Sequence, residues 1–308
     1  MEILGHHSIW KFLKNSAEYG KVSHAYLFFG PERVGKKTIA FEFIKLLNCQ
    51  EKNFKNKPCE KCQSCKDLER KSHPDFILIE PQPEKKEIEI AQIKNLTWQL
   101  SLKKYYSPFK AAIIDSAHLM NQEAQNCLLK TLEEPKGQAI IILTTAFPEL
   151  LLPTIVSRTK RIRFSRVAKK EMENFLKNKE ISEEKIKKLI SVGWGRPGEI
   201  MDFLNNPEKL KVREERIEEL KNLIGSPLNV RFEYAKKITQ DAWQLKEILD
   251  IWLEYFRNNL FSLVGSSDEK KSFLKLKKNI NLIQDINFLL SKTEINPTLA
   301  LENLLLEI

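Results

Sequence analysis

Two groups of residues in this 308-residue chain have the types and spacing to do chemistry. The first is Gly30-Pro31-Glu32-Arg33-Val34-Gly35-Lys36-Lys37-Thr38, directly after the apolar run 25–29. Spaced glycines and a lysine ahead of a helical pattern make a loop whose N–H groups can cradle phosphate, helped by the helix N-terminus. Lys36 stands where such a loop's lysine reaches the outer phosphates. Gly30, Gly35, Lys36 and Thr38 are therefore candidate nucleotide ligands. The next position should supply a hydroxyl for magnesium, and here it is Lys37. Thr38 lies one residue on, turned ~100° around the helix. A second magnesium element, an apolar strand ending in acids, reads Ala111-Ala112-Ile113-Ile114-Asp115-Ser116. Asp115 can hold magnesium through water, but Ser116 cannot be the carboxylate that orients an attacking water. The residues predict a loop without hydrolysis. They leave open whether it still binds nucleotide or serves as scaffold only.

The second group is Cys49-x9-Cys59-x2-Cys62-x2-Cys65. Four thiolates can close a tetrahedral structural zinc site with no open position. In a chain read as cytosolic, such clustering points to metal rather than disulfides. Pro58 and the Lys, Gln and Ser around it suit a tight loop. His73 is a competing fourth ligand, ranked behind Cys49, and reduced thiols without metal are the plain alternative. A lone zinc module can also bind nucleic acid. Cys127 falls in a helical pattern and reads as a small buried hydrophobe.

Positioning these groups requires a scaffold. AYLFF (25–29), FILIE (76–80), AAIID (111–115) and AIIILTT (139–145) read as strands buried on both faces, and RIRF (161–164) adds a fifth. Helical patterns at 36–48, 89–102 and 121–134 alternate with them, which implies a parallel α/β sheet. Beyond residue 165 no further strand is expected. Two or three short amphipathic segments occupy 166–205, broken by GWGRPG (193–198), and long helices follow from 208 with turns near 225–227 and 265–270. The expected domains are 1–165 with the cysteine insertion at 49–65, a helical lid at 166–207 and an all-helical 208–308.

The formal net charge is +10. Residues 209–308 are close to neutral, so the excess lies in 1–208. It suits contact with a polyanion, or simply solubility. No apolar run approaches the ~20 residues that span a bilayer. MEILGHHSIWKFLKN lacks the layout of a secretion signal, so the expectation is a soluble, cytoplasmic protein without membrane contact.

Several stretches together resemble the clamp-loader AAA+ family of bacterial DNA polymerase III. They are SHAYLFFGPERVGKK (23–37), the four cysteines, HPDF (73–76), NCLLKTLEEP (126–135) and LLPTIVSRTKRIRF (151–164). The C-terminal half matches in helical character and length only. The resemblance implies a P-loop AAA+ sheet domain, a helical lid and an all-α collar. In the family a Ser-Arg-Cys motif carries an arginine finger, and here it stands as Ser157-Arg158-Thr159. By resemblance, Arg158 acts in trans on a neighbour's ATP. A guanidinium suits this, being always charged and presenting a planar donor fork. Otherwise Arg158 is an ordinary surface arginine in the basic run 158–163.

Lys37 and Ser116 replace the Thr and Glu expected of the hydrolysing gamma/tau subunit, so the chain resembles a non-hydrolysing member. Thr144 and Thr145 occupy the sensor-one region or simply pack a strand end. The lid arginine of active members falls on Gly198, with Arg196 out of register. The implied partners are the gamma/tau ATPase subunits, the delta subunit, the sliding clamp indirectly, and primed DNA in the assembled complex. ATP and magnesium belong to the neighbour's site and are weak or absent in this chain, and zinc is structural. Two alternatives stand beside this: a hydrolysing subunit using Thr38 and Asp115 for magnesium, and a zinc-dependent DNA-binding protein of another class.

Overall fold

The computed structural model describes residues 3–82, 87–135, 137–179, 181–263, 270–292 and 296–308. The chain divides into two compact units, Met1–Met201 and Asp202–Ile308.

The first unit is built on five strands: β1 (Ala25–Phe29), β2 (Phe76–Ile79), β3 (Lys110–Ile114), β4 (Ala139–Thr145) and β5 (Lys160–Arg163). They form one parallel sheet in the order β2-β3-β4-β1-β5. Side chains alternate along each strand, so each central strand feeds two cores. Tyr26, Phe28, Ala111, Ile113, Ile140 and Ile142 pack with Leu13, Ile39, Phe43 and Ile44 on one face. That face is covered by α1 (His7–Glu18), α2 (Lys36–Asn48) and α3 (Gln63–Glu69). Ala25, Leu27, Ala112, Ile114, Ile141 and Leu143 pack on the other with Ile93, Leu96, Leu128 and Ile155. There the cover is α4 (Ile90–Ser101), α5 (Gln122–Glu133) and α6 (Pro153–Ser157). All seven residues of β4 are buried, which explains its uninterrupted apolar run.

The sequence reading differs from this in three places. FILIE was expected to be buried on both faces, but β2 is an edge strand and Phe76, Ile77 and Leu78 are only half-buried. The amphipathic helix α1 was not anticipated. Nor was α3, because the cysteine segment was expected to be loop alone; Cys62 initiates α3, its Sγ accepting the Cys65 N–H at 3.5 Å.

Three short helices follow, α7 (Lys169–Lys177), α8 (Glu183–Gly193) and α9 (Pro197–Asn205). Trp194 and Gly195, both at positive φ, make the break between α8 and α9. The second unit contains α10 (Pro207–Ile224), α11 (Leu228–Ile238), α12 (Ala242–Leu263), α13 (Lys270–Lys292) and α14 (Pro297–Glu307). Within it α12 packs on α10 and α13, and α11 on α14. The Arg231 guanidinium donates to the carbonyls of Ile224, Ser226 and Leu305, closing the α10–α11 turn onto the C-terminal helix. The turn expected at 265–270 lies, up to residue 269, outside the described residues. No described helix is long and apolar enough to cross a membrane.

Candidate functional site

A cleft of about 370 Å³ opens at the carboxyl ends of the strands, where ligands bind in open α/β sheets. Its walls include Glu32, Arg33, Gly35, Lys36, Lys37, Thr38, Asp115 and Gly198. Four of the five predicted nucleotide-site residues, Gly35, Lys36, Thr38 and Asp115, thus line one space. The fifth, Gly30, is not in that lining but accepts the Lys36 ammonium on its carbonyl at 2.7 Å. Gly30 has φ +141°, and a Cβ there would lie 2.2 Å from the Phe164 carbonyl oxygen, so only glycine fits.

The cations of the loop are engaged by the chain itself. Lys36 is buried and also donates to the Pro31 carbonyl at 2.5 Å. Burial brings its pKa down to about 8, against the raising pull of Glu32 and Asp115. Lys37 bonds the Glu80 carboxylate and lies 3.1 Å from Asp115 Oδ2. Burial opposes its charge, but the two carboxylates outweigh that and raise its pKa. Asp115 Oδ1 accepts the Thr144 hydroxyl at 2.5 Å, and that hydroxyl oxygen accepts the Ser116 N–H at 3.2 Å. Thr145 Oγ1 lies 3.1 Å from His118 Nδ1, and burial lowers the His118 pKa. Thr144 and Thr145 therefore order the acid and the imidazole at the cleft. The Asp115 and Glu80 carboxylates hold the Lys37 ammonium, where a metal at Asp115 would have to compete with it.

The start of α9 meets the loop directly. The Gly198 N–H donates to the Arg33 carbonyl at 2.8 Å, and Arg33 Nε pairs with Glu199 at 3.3 Å. A Cβ on Gly198 would stand 3.0 Å from that carbonyl oxygen. A longer side chain at 198 would therefore have to displace the loop.

Arg158 is elsewhere. It caps α6 just ahead of β5, at the amino end of the parallel sheet. A five-residue strand is ~17 Å long, so the sheet separates this guanidinium from the cleft. It pairs with Glu133 at 2.7 Å, donates to the Thr154 carbonyl at 3.1 Å, and is 36% exposed.

The sulfur atoms of Cys49, Cys59, Cys62 and Cys65 all lie within 4.8 Å of one another. Tetrahedral Zn–S bonds of ~2.3 Å imply sulfur separations of ~3.8 Å, so this donor set fits such an ion. Backbone N–H groups support it: Cys59 donates to Cys49 Sγ at 3.3 Å and Cys62 to Cys59 Sγ at 3.4 Å. Burial opposes ionisation of Cys59, yet the Lys61 and Cys62 N–H groups bring its pKa down to about 6. Burial pushes the Cys65 thiol well up. Cys49 caps α2, so the helix that starts at the phosphate loop ends at the cysteines.

Cys49 completes the set, and His73, the competing fourth ligand, is engaged elsewhere. Its Nδ1 accepts the Asp75 N–H, which leaves the Nε2 hydrogen between the Ser64 and Ser107 hydroxyls at 3.1 and 2.9 Å. Asp75 accepts the N–H groups of Tyr105, Tyr106 and Ser107. HPDF thus ties the cysteine helix α3 to the loop before β3. Cys127 is half-buried against the core.

The reading from sequence missed Glu80, His118, Arg33 and Glu199. Glu80 alone had a signal: it follows β2 as Asp115 follows β3.

A family model described as DNA polymerase III, delta subunit, matches residues 5–168. The chain is 33% identical over 269 residues to the DNA polymerase III subunit delta' of Bacillus subtilis, covering 85% of this chain and 79% of that one. It is 34% identical to the delta' subunit of Pseudomonas aeruginosa over 49% of this chain and 45% of that one. It is 36% identical to the B. subtilis subunit tau over 54% of this chain, but spans only 29% of tau.

Proposed function

This chain belongs to the DNA polymerase III delta-subunit family, and from that premise we propose that it serves as the delta-prime subunit of a clamp loader, hydrolysing no ATP and lending Arg158 to a neighbour. The observation that carries the reading is the Lys37 ammonium paired with Asp115, the acid the sequence offers for magnesium, and with Glu80. Ser116 and Gly198 add to it: one cannot activate water, and the other is a tight glycine, without a phosphate-contacting arginine, where a Cβ would press on the Arg33 carbonyl at 3.0 Å. Arg158, across the sheet from its own cleft, is half-exposed and would exchange its Glu133 partner for a nucleotide on another polypeptide.

In this reading 1–165 is the P-loop domain, 166–207 the lid and 208–308 the collar. Zinc holds Cys49, Cys59, Cys62 and Cys65. Gamma/tau ATPase subunits flank the chain, delta is positioned by it, and basic surface of 1–208 faces primed DNA through phosphates rather than bases. A planar, always-charged guanidinium is suited to the charge that develops on a transferred phosphoryl group.

The test is reconstitution. The pure chain with magnesium–ATP should show no turnover. In the assembled complex, Arg158→Ala should lower ATPase by on the order of 10³-fold. Folding should be little affected, because an exposed ion pair such as that with Glu133 is worth ~0–1 kcal/mol. Unchanged ATPase in that variant sinks the finger. Thr38 does line the cleft, so turnover by the chain alone would instead favour the hydrolysing gamma/tau type.

A further inference from the structure

The three cations of the phosphate loop have different partners. Arg33 pairs with Glu199 of the lid, and Lys36 lies on the loop's own carbonyls. Lys37 bridges two carboxylates, at the carboxyl ends of the neighbouring strands β2 and β3. Asp115 is engaged on both oxygens, Oδ1 by the Thr144 hydroxyl and Oδ2 by Lys37. A divalent ion entering here would meet a fixed positive charge only a few ångströms away, at acids that Lys37 and Thr144 already engage; Glu32 is the remaining carboxylate of the cleft, on the Lys36 side.

The anion side of the same cleft is intact. Gly35, at φ +101°, starts α2 without any side-chain cap, and no acid lies in the first turn. The first N–H groups of a helix have no partner within it, and nothing crowds Gly35 within 4 Å. Lys36 is buried beside them and the cleft holds about 370 Å³. The donors for phosphate are therefore present, and the charge that a metal would supply is built into the chain.

We propose that Lys37 is an internal counter-cation, and that this cleft binds a nucleoside polyphosphate without any divalent metal. The inference rests on the preceding reading of a site that does not hydrolyse, and names its ligand. Lys37 balances the two acids that would otherwise repel the phosphates, so added magnesium has no place to act. Lys37 is thereby the residue that sets the metal requirement.

The probe is fluorescently labelled ADP, titrated into the full chain once in EDTA and once in excess magnesium. Wild type should give the same Kd within about threefold. Lys37→Thr removes the cation and restores a hydroxyl. It should bind about tenfold more weakly in EDTA and recover in magnesium. A wild-type affinity that rises about tenfold or more with magnesium overturns the proposal, as does a wild type that binds no probe in EDTA. Equal binding by Lys37→Thr in both solutions also overturns it. If that variant does not fold, the wild-type pair of titrations decides alone. None of these failures touches the arginine finger, which falls only on the ATPase results of the reconstituted complex.

Discussion

Helix α2 joins two sites with opposite states. At its start, the phosphate loop has the shape of a metal-assisted nucleotide site, but Lys37 already holds the acids a metal would need. At its end, Cys49 and three further sulfurs converge within 4.8 Å of one another, a donor set that could hold a cation. One motif has the outline with its acids already paired to Lys37, while the other has converging sulfur donors. The difference teaches that a site is judged by whether its donors are free, not by whether its loop has the expected shape.

The largest effect that could break this comparison comes from the cysteine end. Metal analysis should find about one zinc per chain, and chelation should cost several kcal/mol, since structural zinc contributes ~10–16 kcal/mol in small peptides. Hydrogen exchange should locate the loss at residues 49–73 and spare β1 and β4. A chain that loses its metal with unchanged melting would remove the contrast.

A smaller effect tests how the cysteine helix is anchored. Asp75→Asn should cost about 2 kcal/mol, because a carboxylate accepting three N–H groups is replaced by a neutral amide. The pH dependence follows from the same bonds. Burial works to raise the Asp75 pKa, but the N–H groups of Tyr105, Ser107 and Tyr106 outweigh it and hold it below the usual value. Its contribution is therefore complete above ~pH 4, the unfolded range, and is lost as pH falls through the folded value. Acid unfolding curves should show a steeper loss in wild type than in Asp75→Asn below that pH.

The smallest effect sharpens the comparison at the cleft. Gly198→Arg would place an arginine where the family resemblance expects one in a hydrolysing member, but its Cβ meets the Arg33 carbonyl at 3.0 Å. It should destabilise the first unit by ~1–3 kcal/mol, as overpacking does, and should confer no ATPase. Gain of turnover would show that the lid, rather than Lys37, keeps the site silent.

Much of the scaffold was legible from residues alone. Uninterrupted apolar runs reported β1, β3 and β4 because those strands are buried on both faces, and the same signal overstated β2, whose edge position no run of residues reveals. Helix α2 was read at its observed bounds because an apolar pattern follows a phosphate-loop glycine. Helix α1 escaped because its segment was weighed as a leader and not for periodicity. The spacing of four cysteines announced their convergence. HPDF was only a resemblance until His73 and Asp75 were seen to fasten α3 and the 105–107 turn together.

The sequence by itself determined the strand–loop–helix of the phosphate cradle, the loss of its magnesium hydroxyl at Lys37, and the thiol set, because each depends on residues close along the chain. Only the tertiary structure decided what Lys37 does instead, that Gly198 seals against Arg33, and that Arg158 stands across the sheet from its own cleft. Those facts arise from contacts between distant segments, and the parallel sheet alone fixes which ends of its strands share a side.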